Sequence, residues 1–344
     1  MGNLSCMPCT NDLGFGIMEK ISVWTLKSLE FYKEINDLYM YHVLLYYKIQ
    51  KIPQSQYEVQ RHREVCKALQ LNGRILISHY GINGTVAGTK ESIALYQAYM
   101  NQHAAFAGID FKESTSTFMP FPRLRVRHRE EIITTDAPDQ YNIWNVGTHI
   151  DRDTLHDWFI RGEEFVLLDM RNDYEWEIGR FAGAVKPPMK YFRDLKDCMG
   201  YYEQFKGKKL VLFCTGGIRC EPATAMFLQA GFEAKDLYQL EGGIVKYAEK
   251  YGDDGFYEGK CFVFDDRIAI PINTTESAII TGHCAHCGDV SDVYYNCRNK
   301  RCNKLFLSCD ACDVTLRGCC SNICGDVIRD PSNVRPPRAS IYNK

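Results

Sequence analysis

The chain has 344 residues, 45% of them hydrophobic and 24% charged, which suits two or three globular units and excludes a disordered or fibrous protein. A formal net charge of −2 excludes a histone-like polycation, so contact with nucleic acid would have to rest on a local basic cluster. The longest apolar runs, Tyr41 to Tyr47 and Leu210 to Phe213, are far shorter than the ~18 residues of a membrane span, and Glu19, Lys20 and Lys27 break up any secretory signal; a cytosolic protein without a membrane partner is expected.

Residues 1–38 carry a helical pattern from Val23 to Asn36 and are otherwise an extension of unassigned role. From Tyr41 to Tyr47 the chain is rich in aromatic and β-branched residues and reads as a strand. A helix from Gln54 to Leu71 follows. Two further strands, Gly73 to Ser78 and Gly84 to Gly88, are expected to be joined through Gly81-Ile82-Asn83-Gly84, because Asn-Gly is a hairpin signal. A helix from Lys90 to Asn101 and a strand from Asp110 to Glu113 complete the order β-α-β-β-α-β, the split βαβ of ferredoxin-like domains. This places an α+β domain at residues 39–119, of acylphosphatase-like type, and a basic linker containing Pro120, Pro122 and Pro138 at 120–144.

Beyond the linker, Phe165 to Met170 and Lys209 to Phe213 are short apolar runs of the kind buried in a parallel sheet, each followed by a loop and helix. An α/β domain is therefore expected at 145–255, a Cys-rich region at 256–330, and a disordered Pro-containing tail at 331–344.

The most informative stretch is Phe213-Cys214-Thr215-Gly216-Gly217-Ile218-Arg219-Cys220-Glu221, which leaves a buried strand and enters the helical sequence Pro222 to Ala230. A tight turn there aims the backbone N–H groups of Thr215, Gly216, Gly217 and Ile218 inward, and the helix N-terminus adds partial positive charge. An anion at Cys214 is favoured. With Arg219 beside the sulfur, a cysteine pKa can fall from about 8.5 to roughly 3.5–7.5, making Cys214 a nucleophile and Arg219 its catalytic partner. Cys220 is either a resolving thiol or a small core residue, and Glu221 reads as a first-turn charge rather than a base. The alternative for Cys214 itself is a structural thiol at a strand end.

These residues resemble the rhodanese superfamily. Leu168-Asp169-Met170-Arg171 with Glu175, Gly179-Arg180-Phe181-Ala182-Gly183-Ala184 and Leu240-Glu241-Gly242-Gly243 are similar to its signature blocks and flank the loop in order. Four residues between Cys214 and Arg219, where related phosphatases carry five, resemble the sulfur-handling members. Together with Gly81-Ile82-Asn83-Gly84-Thr85, Pro120-Phe121-Pro122-Arg123-Leu124-Arg125-Val126 and the cysteine-rich end, residues 40 to 325 closely resemble the rhodanese-containing tRNA uridine hydroxylases. That resemblance implies a tRNA substrate, 5-hydroxyuridine formed at the wobble position with dioxygen, and a persulfide-type catalytic cysteine at Cys214. No flavin, haem or nucleotide fingerprint accompanies it.

Arg123, Arg125, Arg127 and Arg129 alternate, so as an extended strand all four would share one face and could hold RNA phosphates; the alternative is a solvated face paired to acids such as Glu130 and Glu131. Tyr80 and Phe121 are aromatic candidates for stacking on a base, and core positions are the competing assignment.

Nine of the sixteen cysteines lie between Cys284 and Cys324, a distribution that favours metal over a disulfide scaffold. Two CxxC pairs, Cys284/Cys287 and Cys309/Cys312, stand 21 residues apart, and Cys297, Cys302, Cys319, Cys320 and Cys324 supply thiolates for a second ion. Structural zinc held by a subset of the nine is expected, with reduced thiols as the alternative and the pairing undetermined by spacing. Two other functions use parts of the same chain: a thiosulfate-type sulfurtransferase needs only the loop, and a non-enzymatic zinc-knuckle binding module needs only the cysteine-rich end.

Overall fold

In the computed structural model, which describes residues 40–186, 188–276 and 278–335, the aromatic run becomes strand β1, Tyr41–Ile49. Leu44 and Tyr46 enter the core beneath two helices, whereas Val43, Leu45 and Tyr47 line the opposite face, as the two-residue period of a strand requires. Helix α1 (Ser55–Ala68), strands β2 (Asn72–Ser78) and β3 (Gly81–Gly88), helix α2 (Lys90–Gln102) and strand β4 (Lys112–Ser116) follow. The sheet order β4-β1-β3-β2, with antiparallel pairing throughout those four strands, is the expected split βαβ arrangement.

The hairpin lies elsewhere than the Asn-Gly signal suggested. Ser78 pairs with Gly81, so His79 and Tyr80 make the turn, and Asn83 and Gly84 sit inside β3. Gly84 serves close packing instead: a Cβ there would collide with the ring of Tyr46 on the neighbouring strand. Asn83 donates through Nδ2 to the Ile132 carbonyl at 2.8 Å. The arginine-rich linker also differs from a plain connection, because Leu124–His128 forms a fifth strand, β5, parallel to β2 with Arg74 beside Arg125 and Leu76 beside Arg127.

The α/β unit runs β6 (Thr148–Ile150), α3 (Arg152–Arg161), β7 (Val166–Asp169), α4 (Asp173–Ile178), β8 (Gly179–Phe181), α5 (Leu195–Tyr202), β9 (Leu210–Phe213), α6 (Cys220–Gln229), β10 (Leu237–Leu240) and α7 (Gly243–Tyr251). Its parallel sheet has the order β6-β10-β9-β7. All four residues of β9 are buried, because helices cover both faces of such a sheet. Strand β11 (Tyr257–Phe262) then pairs with β8 and with β12 (Ala269–Pro271).

The cysteine-rich end contains the hairpin β13 (Tyr294–Asn296) and β14 (Leu305–Leu307) and two single-turn helices, α8 (Asp310–Thr315) and α9 (Asn322–Val327). Residues 331–335, assigned above to a disordered tail, are ordered: Pro331–Asn333 forms a 3-10 turn and the Arg335 amide bonds the Arg298 carbonyl at 2.7 Å. The expected helix from Val23 to Asn36 and the rest of the tail lie outside the described residues. Among the described residues no helix is long and apolar enough to cross a membrane.

Candidate active site

Cys214 is the first residue beyond β9, and the chain curls through residues 215–219 before α6 begins at Cys220. Gly217, at φ +101°, donates its amide to Cys214 Sγ at 3.1 Å, a backbone conformation that side chains resist. The outer side of the curl is tied to α7, whose Ile244 and Val245 amides bond the carbonyls of Cys214 and Thr215 at 3.0 and 3.1 Å. Gly243 makes that docking feasible, since it has φ +61° and a Cβ there would lie 2.8 Å from the Thr215 carbonyl oxygen. With the Cys214 and Thr215 carbonyls spent on α7 and those of Gly217 and Arg219 on α6, the loop carbonyls turn away from the sulfur.

Burial pushes the Cys214 thiol up, but a hydrogen bond from Cys220, the nearby Arg219 guanidinium and the amides of Arg219 and Gly216 outweigh it and bring its pKa down to about 6. Cys220, fully buried, is driven far the other way by burial and by the Cys214 charge; it is the proton donor of the pair. Arg219 lies closer to a carboxylate than the sequence indicates. Its Nη1 and Nη2 donate to Glu175 at 2.6 and 2.8 Å, and Nη2 also reaches Thr215 Oγ1 at 3.2 Å. Burial alone would lower its pKa, but Glu175 keeps the guanidinium charged. In the sequence Glu175 is one residue of a signature block; its partnership with Arg219 spans 44 residues and leaves no local trace. A second ion pair, Arg171 and Asp169 at 2.6 Å, is fully buried.

Cys214 is shielded from bulk solvent yet opens onto a cavity of about 390 Å³, lined also by Thr215, Gly216, Ile218 and Arg219. The opposite wall is the helix-free face of the N-terminal sheet, where Leu45, Tyr47, Arg74, Thr85 and Lys112 face inward. Leu45 packs so closely on the loop that a Cβ at Gly216 would stand 3.0 Å from its Cδ2. Tyr191 and Phe264 are half-exposed aromatic residues at the rim, and Phe264 lies against the Arg219 guanidinium, 5.7 Å from ring centre to Cζ. The segment that carries Phe264 is strapped to the N-terminal sheet: Arg267 pairs with Asp265 at 2.6 Å and donates to Ser114 Oγ at 2.9 Å.

Lys112, Tyr47, Tyr191 and Phe264 were not singled out from the sequence. Lys112 is buried, sits 5.1 Å above the Tyr47 ring, and shares Asp110 with Lys246, at 3.1 and 3.0 Å. Burial lowers its pKa, with Asp110 opposing. Glu221, taken for a first-turn charge, is nearly buried and accepts from Tyr47 Oη at 3.0 Å and Gln239 Nε2 at 3.1 Å, with His149 Nε2 at 2.9 Å.

Arg123, Arg125, Arg127 and Arg129 follow β5 in alternation but do not line the cavity. Glu131, offered as a counter-charge for them, instead accepts from the Thr135 amide at 3.1 Å and the Tyr141 hydroxyl at 3.2 Å. Tyr80 is buried and its hydroxyl accepts from the Ile132 amide at 3.2 Å, a structural role. Phe121 is buried yet reaches the cavity wall.

The nine cysteines sort themselves by position. The sulfurs of Cys284, Cys287, Cys309 and Cys312 lie within 4.8 Å of one another, as do those of Cys297, Cys302, Cys320 and Cys324. Cys319 belongs to neither group and is buried in the small core with Tyr295 and Phe306. His283 and His286 also stand outside both groups.

Comparison with known proteins gives three consecutive family matches: an acylphosphatase-like domain of the UPF0176 family over residues 41–132, a rhodanese-like domain over 151–250, and a rhodanese C-terminal module over 258–325. Among similar proteins, the tRNA uridine(34) hydroxylase of Chlamydia abortus is 36% identical over 296 residues, covering 84% of this chain and 88% of the relative. That of Protochlamydia amoebophila is 37% identical over 300 residues, covering 86% and 90%. That of Bacillus mycoides is 38% identical over 287 residues, covering 83% and 89%.

Proposed function

This chain belongs to the tRNA uridine(34) hydroxylase family, and on that premise we propose that it hydroxylates uridine 34 of tRNA to 5-hydroxyuridine through the Cys214 thiolate. The observation that carries the assignment of the residue is a low-pKa sulfur, cradled by amides, opening on a cavity roofed by a second domain. A cavity of about 390 Å³ falls within the range of roughly 300–1,000 Å³ usual for small-molecule pockets, so it accepts one flipped-out nucleoside rather than a helix. Anticodon bases are unpaired and can be splayed into such a pocket, with Tyr191 or Phe264 at the rim as stacking partners.

In the mechanism proposed, Cys214 adds to carbon 6 of the uracil ring, and the electron pair of the double bond moves onto carbon 5 and the adjoining carbonyl. The buried Lys112 ammonium and the loop amides are positioned to stabilise that charge. Carbon 5 then meets dioxygen; one oxygen atom stays on carbon 5 as a hydroxyl, and the other leaves as water, with two electrons from an external donor and three protons from solvent. The same cradle accepts a persulfide on Cys214, and the mass of a trapped adduct separates one sulfur from two.

Arg125 and Arg127 lie next to Arg74 and Leu76 of β2, both on the cavity wall. We assign to the arginine row the phosphates flanking the bound nucleoside. The two four-thiolate clusters have the donor set and grouping of closed tetrahedral zinc sites, and we assign one structural zinc to each; bound there, the metal would cross-link a module with little apolar core.

The decisive experiment compares wobble nucleosides by mass spectrometry in cells expressing the wild-type chain or Cys214→Ala, with other routes to 5-hydroxyuridine removed. The product should vanish with the sulfur. Equal amounts in both strains would return the loop to a thiosulfate-type sulfurtransferase.

A further inference from the structure

A continuous line of hydrogen-bonding groups leads away from the cavity wall. It starts at Tyr47, which lines the cavity and whose hydroxyl lies so close to the catalytic loop that a Cβ at Gly217 would stand 2.9 Å from it. Tyr47 Oη donates to Glu221 Oε1 at 3.0 Å, and the same oxygen lies 2.9 Å from His149 Nε2. Gln239 Nε2 donates to the other carboxylate oxygen at 3.1 Å, which fixes the carboxylate between its two neighbours. The Glu221 side chain is 8% exposed and that of His149 41% exposed, so the line runs from the cavity wall beside a buried sulfur to water.

A Tyr at position 47 donated by one domain to a carboxylate of another costs the buried Glu221 its solvation, and an apolar pair would fill the space without that cost. The reaction supplies a reason for it. Adding OH at carbon 5 of the adduct leaves that carbon saturated and still bearing its hydrogen, and restoring the ring requires an elimination. The carbon 5–hydrogen bond breaks, its electron pair re-forms the carbon 5–carbon 6 double bond, the carbon 6–sulfur bond breaks, and that pair returns to Cys214 as thiolate. A proton must leave a chamber whose sulfur is screened from bulk solvent.

We propose that Tyr47, Glu221 and His149 form the outlet for that proton: the Tyr47 oxygen receives it while passing its own hydrogen to Glu221, and His149 hands a proton to water. Tyr47 faces Glu221, Cys214, Cys220 and Lys112, and His149 faces Glu221 and Glu241. Burial and the Glu221 charge keep Tyr47 a neutral phenol, as a relay needs, and the Glu221 hydrogen bond raises the basicity of His149. The relay rests on the adduct chemistry assigned above to Cys214.

The test uses the full-length chain, substrate tRNA with unmodified uridine 34, air, and a soluble extract from cells lacking other routes to 5-hydroxyuridine as the source of electrons. Tyr47→Phe keeps the ring and removes only the oxygen. Its product formation should fall by about 10²-fold, the lower end of what general acid–base groups contribute, while a Cys214–tRNA adduct accumulates on denaturing gels. His149→Ala should slow the reaction similarly, and added imidazole should restore it, because the position is open to water. Wild-type turnover in Tyr47→Phe, or a loss in His149→Ala that imidazole leaves untouched, overturns the relay. If Cys214→Ala is dead in the same assay, the reading of the sulfur survives that failure.

Discussion

On the proposed mechanism the state of the Cys214 sulfur decides the chemistry, and its causes can be separated by substitution. With a pKa brought down to about 6, Cys214 is mostly thiolate at neutral pH and becomes protonated as pH falls through that value. Its alkylation by iodoacetamide, read by peptide mass spectrometry, is expected to rise with pH through an inflection near 6, well below that of an ordinary thiol. A hydrogen bond to a charged group is worth about 1.5–3 kcal/mol, so Cys220→Ala, which removes the thiol donor, should move that inflection up by about one to two pH units. An unmoved inflection would exclude Cys220 as the donor. Glu175 acts differently, since it holds Arg219 rather than the sulfur. Glu175→Gln leaves a buried guanidinium uncompensated, which typically costs about 3–5 kcal/mol; urea unfolding of the variant should show a loss of that order.

Elements with local causes were legible in the sequence, and those with distant causes were not. β9 followed from a run of apolar residues buried on both faces, and the loop after Cys214 followed from glycines at a strand end. The hairpin was misplaced because Asn83-Gly84 has two uses, turn and close packing, and only the neighbouring strand reveals that Tyr46 needs the space. Glu175, Tyr47 and Lys112 were missed for the same reason: each acts on a partner from another element or domain. The cysteine spacing left the number of ions and their pairing open, and the fold gathers the sulfurs into two sets of four with Cys319 left over. Metal analysis of the purified chain should therefore give two zinc ions per chain, about one in Cys312→Ser, and still two in Cys319→Ala. One ion in Cys319→Ala would refute the grouping. Because β13, β14, α8 and α9 bring only a small apolar cluster, a chelator that strips both ions should also unfold this end, seen as lost amide-exchange protection over residues 282–328.

At the scale of the whole molecule, three units close on one cavity. The N-terminal sheet supplies a wall and Tyr47, the α/β domain supplies the sulfur, and the segment after β11 supplies Phe264 and the Arg267 strap. A sulfurtransferase acting on a small anion needs only the middle unit, whereas a macromolecular substrate needs a surface continuous with the pocket. β5 provides one, because its parallel register places Arg125 next to the cavity-lining Arg74 and keeps Arg127 on the same face. If phosphates of tRNA lie along that row, each arginine that meets one releases about 0.7 to 0.9 of a counterion on binding. Arg127→Ala should then weaken tRNA binding at low salt and reduce the slope of log affinity against log salt by roughly that amount, with Arg125→Ala behaving alike. The double variant should lose about twice as much slope, since the two side chains serve separate phosphates. Filter binding across a salt series, with the free nucleoside as control, distinguishes this from damage to the pocket: affinity for the nucleoside should not change, because it carries no phosphate to hold. An unchanged salt slope in the double variant would move the tRNA backbone off β5 and onto another face of the protein.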